Sequence, residues 1–144
     1  MDALTFLSAH SPLFGGLSQE ELTELAVNSE IHQYAAGKTV IHAGMSVDGL
    51  CVIAGGKAEV YARVPGKGLI RVADLGPGEV FGEASMVEKT MSGATVKAGP
   101  EGTYVLVVPE EPFCRLVSEN QEFGARVKAL IQSRRSSPPQ AGKP

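Results

Sequence analysis

The sequence predicts a mainly β protein, a small barrel or sandwich with helices at both ends of the chain. Three observations carry that prediction. From Ile31 to Val108 the apolar residues come in short runs, broken at Gly37, Gly44, Gly55–Gly56, Pro65–Gly66, Gly76–Gly78 and Gly99–Pro100. Short strands separated by such turn signals are the pattern of all-β barrels and sandwiches. Glycine is abundant, at 17 of 144 residues, as a chain with many tight turns requires. On either side of this region the apolar period becomes helical. The length suits one domain, expected over residues 1–134, with residues 135–144 as a disordered tail or linker. A chain of this size buries about two-thirds of its unfolded surface and needs no staple.

Composition excludes some classes of function. The formal net charge is −3 and the isoelectric point about 5.6, which argues against a nucleic-acid surface, normally basic. Cys51 and Cys114 both sit in apolar contexts and read as buried thiols rather than a disulfide, in a cytoplasmic protein. The N-terminus lacks a basic segment followed by an apolar core. No apolar run approaches the ~18–20 residues that span a bilayer, so no membrane insertion is expected.

Met1 to His10 is weakly amphipathic, with Leu4, Phe6, Leu7, Leu13 and Phe14 available to cover a core edge. Ser18 is a good helix N-cap and Glu21, three residues on, completes a capping box; Leu17 and Leu22 stand where a hydrophobic staple would put them. The spacing predicts a helix from Gln19 to about Val27. Strands are predicted at Ile31–Tyr34, Thr39–His42, Gly49–Ala54, Lys57–Val64, Leu69–Leu75, Thr95–Ala98 and Thr103–Val108. Pro65 to Gly68 joins two of them as a hairpin. After Val108, Pro109 opens a helix with Glu110 and Glu111 at its positive end and Phe113, Leu116 and Val117 as its apolar stripe. Asn120 is a candidate cap for a last helix, in which Phe123, Val127, Leu130 and Ile131 recur on one face. Arg134 and Arg135 suit its C-terminal end.

The chain is organised around Leu75 to Ala98. Gly76, Pro77 and Gly78 bend it, Phe81 and Gly82 bring the backbone into a tight approach, and Glu83 to Met86 start a short helix. The first N–H groups of a helix lack internal partners, and such a cluster attracts anions, phosphate above all. The segment reads as a small phosphate cradle.

Phe81, Gly82, Glu83 and Ala84, followed by Ala94, Thr95 and Val96, resemble the phosphate-binding cassette of cyclic-nucleotide-binding domains, the sensor domains of catabolite activator proteins, protein kinase A regulatory subunits and cyclic-nucleotide-gated channels. The resemblance covers roughly Pro12 to Leu130. It includes Gly37 before an apolar strand, Gly44 and Asp48 around the next turn, and the strand with Leu50, Val52 and Ile53 that ends in Gly55–Gly56. It implies an eight-strand-type jelly-roll β barrel (a double-stranded β-helix) with flanking helices, the last of them a lid in the family. It also implies a ligand, cyclic AMP or cyclic GMP, and no catalysis. By the same resemblance Glu83 accepts from the ribose hydroxyl. Backbone N–H groups of Gly82, Ala84 and Ser85 hold the phosphate, and Phe81, Ser92, Gly93 and Ala94 complete the ligand-binding set. There is one departure. The family places an arginine nine residues after the glutamate, and here that position is Ser92, with no arginine between Arg71 and Arg115.

That departure leaves two readings open. In one, the domain is a regulatory module with a weakened or altered site, in which Ser85 and Ser92 hydroxyls or Lys89 stand in for the cation. In the other, it is a degenerate domain that binds no nucleotide and serves as a protein-interaction module or a folded piece of a larger signalling chain. Glu83 is then a leftover carboxylate paired with a backbone N–H, Lys89 or Lys97. Val60, Val72 and Leu75 either line a base pocket or belong to the core. Enzyme readings are weaker. His32 and His42 fall on consecutive predicted strands without the framing or carboxylate of a metal motif, and no serine or cysteine has a triad pattern around it. No DNA-binding helix-turn-helix follows, so a complete transcription factor of the catabolite activator type is not expected.

Overall fold

In a computed structural model, which describes residues 6–7, 11–89 and 92–136, the sheet has six strands: β1 Glu30–Tyr34, β2 Thr39–Ile41, β3 Gly49–Val64, β4 Gly68–Leu75, β5 Val80–Phe81 and β6 Thr95–Pro109. All pair antiparallel, in the order β1-β6-β3-β4, with β2 also on β6 and β5 on β3. Two expected strand breaks are corrected. Gly55–Gly56 does not end a strand, because β3 runs through it as a bulge with register shifts between Ile53 and Gly55 and between Gly56 and Ala58. Gly56 has φ +71°, and a Cβ there would stand 2.3 Å from the Gly102 carbonyl oxygen, so only glycine lets the two strands cross this closely. Likewise Gly99–Pro100 lies inside β6. The trace of the expected break is in the pairing, where the β3 register passes from Ala98 to Thr103. The seven strands read from the sequence thus become two long bent ribbons and four shorter partners, with β5 added.

The first five residues of β3, Gly49 to Ile53, are buried on both faces. On β3, Leu50 and Val52 pack with the helices, while Cys51 and Ile53 point into the barrel with Phe81, Val96 and Val105. Successive side chains of a strand point to opposite faces, so this stretch of β3 separates two cores. Val60, Val72 and Leu75 divide accordingly: Leu75 is buried in the barrel cluster with Val60 packed against it, and Val72 is half-buried.

The helices are α1 Gln19–Val27, α2 Glu83–Glu88, α3 Glu110–Glu119 and α4 Gln121–Ser136, with a 3-10 turn at Pro12–Phe14. Helix α1 has the expected bounds and capping box: Glu21 N–H donates to Ser18 Oγ (3.1 Å) and Ser18 N–H to Glu21 Oε1 (2.9 Å). Asn120 caps α4 by accepting from Phe123 N–H at 3.0 Å, and its amide donates to Glu21 Oε2 at 3.0 Å, joining the starts of two helices. Phe123 stacks on Phe14 (centroids 5.8 Å apart) and meets Phe113 edge-on (5.9 Å). Such pairs add about 0.5–1.5 kcal/mol beyond the area they bury. Together with Val127 and Ile131 they seat α4 against the first cluster. The tail expected over residues 135–144 begins later, since α4 continues through Ser136; Leu4, His10 and residues 137–144 lie outside the described residues. No helix among the described residues is long and apolar enough to cross a membrane.

Candidate functional site

The glycine-rich turn before the cassette is anchored to β3. Gly78 N–H donates to Ile53 O at 2.8 Å, Ile53 N–H to Glu79 O at 2.9 Å, and Ser11 Oγ to Gly78 O at 2.8 Å. Strand β5 then pairs Val80 with Val52 and Phe81 with Cys51, burying both side chains. The next residue must turn sharply into α2. Gly82 does so with φ +91°, and a Cβ would lie 3.0 Å from Val47 Cγ1 and 3.3 Å from Gly49 O. Both the backbone conformation and the close approach therefore demand glycine. Helix α2 begins at Glu83, as expected, and its first closing bond is Met86 N–H to Gly82 O at 3.1 Å. Helix geometry leaves the N–H groups of Glu83, Ala84 and Ser85 without intrahelical acceptors.

Glu83 points inward, with its side chain 4% exposed, and its partner is neither a backbone N–H nor Lys89 nor Lys97. It is Arg134, near the C-terminal end of α4, whose Nη1 lies 2.6 Å from Glu83 Oε1 while Nη2 donates to Val80 O at 2.6 Å. One guanidinium thus holds the residues on both sides of the Phe81–Gly82 turn. Lys89 ends α2 in the left-handed region, φ 57°, and turns away from the cassette: its Nζ lies 2.7 Å from Glu110 Oε2 on α3. A rescue by Lys89 has no support in this geometry. Lys97 lies over the Tyr61 ring, 5.1 Å from its centroid.

The far side of the cassette is built against a neighbouring turn. Ser92 N–H donates to Met45 O at 2.9 Å and Gly44 N–H to Ser92 O at 2.8 Å. The Ser92 hydroxyl is used locally, donating to Ala94 O at 2.6 Å and accepting from Ala94 N–H at 3.3 Å. Gly93 is exposed, with open space around it. Thr95 is buried and its Oγ1 accepts from Ala43 N–H at 3.0 Å, fixing the end of the cassette to the loop after β2. The structure therefore brings Phe81, Gly82, Glu83, Ala84 and Ser85 together at the start of α2, and Ser92, Gly93 and Ala94 at the start of β6.

Outside this segment, His32 pairs with Glu30 on the exposed edge strand β1 at 3.2 Å, and His42 is exposed on the loop just after β2 rather than within a strand. Among the described residues no group of three or more histidine, cysteine or acidic side chains is arranged to hold a metal ion. Both cysteines are free thiols, Cys51 buried and Cys114 half-buried. Burial, with a smaller contribution from Asp48, pushes the Cys51 thiol up to about 12.

Comparison with known proteins identifies the family and the fold. A family model, the cyclic nucleotide-binding domain, matches residues 31–120. A cyclic AMP receptor protein of Thermus thermophilus is 30% identical over 124 residues, 86% of this chain and 57% of that protein. The crystal structure of the Thermus thermophilus catabolite activator protein superposes with a TM-score of 0.73 at 29% identity, over 86% of this chain and 58% of that one. The regulatory domain of Toxoplasma gondii protein kinase A, solved with cyclic AMP, gives a TM-score of 0.79 at 20% identity, over 94% of this chain and 49% of that one, a likeness of fold. The chain spans roughly half the length of these proteins.

Proposed function

Because the chain belongs to the cyclic nucleotide-binding domain family, we propose that it is a non-catalytic regulatory module that senses a cyclic nucleotide, cyclic AMP or cyclic GMP, or a related phosphate ligand. The observation that carries this reading is the Glu83 carboxylate, buried at the start of a short helix behind an obligatory glycine. A buried carboxylate is costly unless it is paired, and Arg134 supplies that pairing; what supports a ligand role is its fixed place directly after Gly82, where the family resemblance puts the acceptor for a ribose hydroxyl. In the proposed site Glu83 accepts from the ribose hydroxyl through lone pairs that Arg134 leaves free. The N–H groups of Gly82, Ala84 and Ser85 face the phosphate. Phe81 sets the turn, and Ser92, Gly93 and Ala94 line the opposite side. With serine at position 92 the site is weaker than one with an arginine, since a neutral hydrogen bond contributes about 0.5–1.5 kcal/mol and a charged one about 1.5–3 kcal/mol. Occupancy acts by shifting the balance between two arrangements of α2 and α4, which requires the ligand to bind one of them better. The output is a fused signalling domain or a protein partner in the cytoplasm.

Isothermal titration with cyclic AMP, cyclic GMP and cyclic dinucleotides tests the proposal. Saturable binding that Glu83→Gln weakens by about tenfold or more is the expected result. An absence of heat at about millimolar ligand for all of them rejects it. One observation favours a second reading, a protein-interaction module without a nucleotide: the Ser92 hydroxyl is already committed to Ala94. A protein partner whose capture survives Glu83→Ala and ignores added nucleotide is the outcome that reading requires.

A further inference from the structure

We propose that Arg134 supplies, from the last helix, the cation that the cassette lacks, so that an anionic ligand is held only while α4 is docked. The inference rests on the nucleotide-binding reading above and goes beyond it by naming the charged group and the element that carries it.

The geometry supports a working cation rather than a simple plug. Arg134 touches Glu83 through one carboxylate oxygen only, and its second contact is a backbone carbonyl. A guanidinium carries five N–H donors and an ionised carboxylate about four acceptor sites. Neither group is used up by the contacts they share. The Arg134 side chain is 37% exposed, whereas that of Glu83 is 4% exposed. The open part of the pair is therefore the positive part. Electrostatics points the same way. Glu83 alone would repel a phosphate brought within a few ångströms. Paired with Arg134 it is neutralised, and the guanidinium fork still matches a phosphate as a lysine would not. The nearest lysines face elsewhere, Lys89 to Glu110 and Lys97 to Tyr61.

The consequence is a coupling. Arg134 is 51 residues from Glu83 in the chain and reaches it only because Phe123, Val127 and Ile131 seat α4 on the core. If the ligand needs the guanidinium, it binds the docked state better, and by reciprocity it tightens the docking by the same factor.

The test measures cyclic AMP and cyclic GMP affinity by titration calorimetry for the wild type, Arg134→Gln, Arg134→Lys, Ser92→Arg and the double variant Ser92→Arg with Arg134→Gln. Each fold is checked by circular dichroism. Arg134→Gln is expected to lose roughly ten- to a hundredfold in affinity, with Arg134→Lys between it and wild type. Ser92→Arg recovers most of the loss in the Arg134→Gln background and gains much less in the wild-type background; equal gains in both, as a merely structural arginine would give, overturn the inference. Hydrogen exchange of residues 121–134 in the wild type slows on adding nucleotide and gives a readout should Arg134→Gln not fold. Wild-type binding with Arg134→Gln within about twofold of it, or tighter, overturns the inference while leaving the proposed function standing. So does exchange in α4 that ignores the nucleotide. A wild type that binds no nucleotide overturns the proposed function, and this inference with it.

Discussion

Gly82→Ala tests the local reasoning on which the site depends. Gly82 has φ +91°, and the added methyl would lie 3.0 Å from Val47 Cγ1 and 3.3 Å from Gly49 O. Placing an L side chain in the left-handed region costs about 1–2 kcal/mol. Relieving the contact with Val47, itself buried, moves a packed side chain at a cost of about 1–3 kcal/mol. The total expected is roughly 2–5 kcal/mol, out of a stability of about 5–15 kcal/mol for a domain. For a chain of this length that is a fall in melting temperature of roughly 6–20 °C. Gly93→Ala is the control, because a Cβ at that position meets nothing within 4 Å. It is expected to be neutral or to stabilise by up to about 1 kcal/mol through the unfolded chain. Thermal and urea unfolding followed by circular dichroism read both. Repeating Gly82→Ala in a Val47→Ala background separates the steric part, which should shrink by about 1 kcal/mol, from the backbone part, which should persist. If Gly82→Ala and Gly93→Ala melt within about 2 °C of each other, the turn is not conformationally obligatory and the account of how Glu83 is aimed fails.

Other expected outcomes concern acid stability, thiol reactivity and one strained lysine. Hydrogen bonds from the Ser18 N–H and then from Asn120 hold the Glu21 carboxyl below its ordinary value of 4.5. A depressed folded value means that the contribution of Glu21 is present at neutral pH and is lost as the pH falls through the folded value. The urea midpoint of Glu21→Gln should therefore lie below wild type at pH 7 and converge with it in acid; a gap that does not change with pH refutes this. Iodoacetamide should label Cys114 in the native protein and reach Cys51 only on unfolding, since Cys51 is buried and its thiol is pushed up to about 12; equal native labelling by mass spectrometry would contradict it. Lys89 carries the left-handed backbone at the end of α2. Lys89→Gly should melt at or above the wild type and Lys89→Val below it, and the reverse order would show that the turn is not strained.

Much of this architecture is legible in the chain because the relevant signals are local. Ser18 with Glu21 marks α1, Asn120 marks α4, and Pro65–Gly68 marks a hairpin; each depends on residues within one turn of one another. The misread positions are those where a local signal is overridden by a partner far away. Gly55–Gly56 looks like a strand end until Thr103 and Tyr104 lie across from it, and then it is a bulge that bends one ribbon around the barrel. Gly99–Pro100 is similar, with Pro100 exposed where the β3 register skips. The candidate site divides the same way. The Phe81-Gly82-Glu83 turn announces itself through its glycine. The role of Arg134 does not, since an arginine near a helix C-terminus is expected for the helix dipole alone. Only the seating of α4 brings it to Glu83.

Strand β6 is the last strand among the described residues, and it pairs with β1, β2 and β3. During synthesis the sheet therefore has no way to close before residue 109 has left the ribosome. Until then only the β3–β4 hairpin and the short β5 contact can form, and two early strands wait with unsatisfied edges. Sheets that depend on such late, distant pairing assemble slowly and are open to wrong partners meanwhile. Stop codons or cleavage upstream of β6 should yield chains that are held by chaperones or degraded rather than a smaller folded domain.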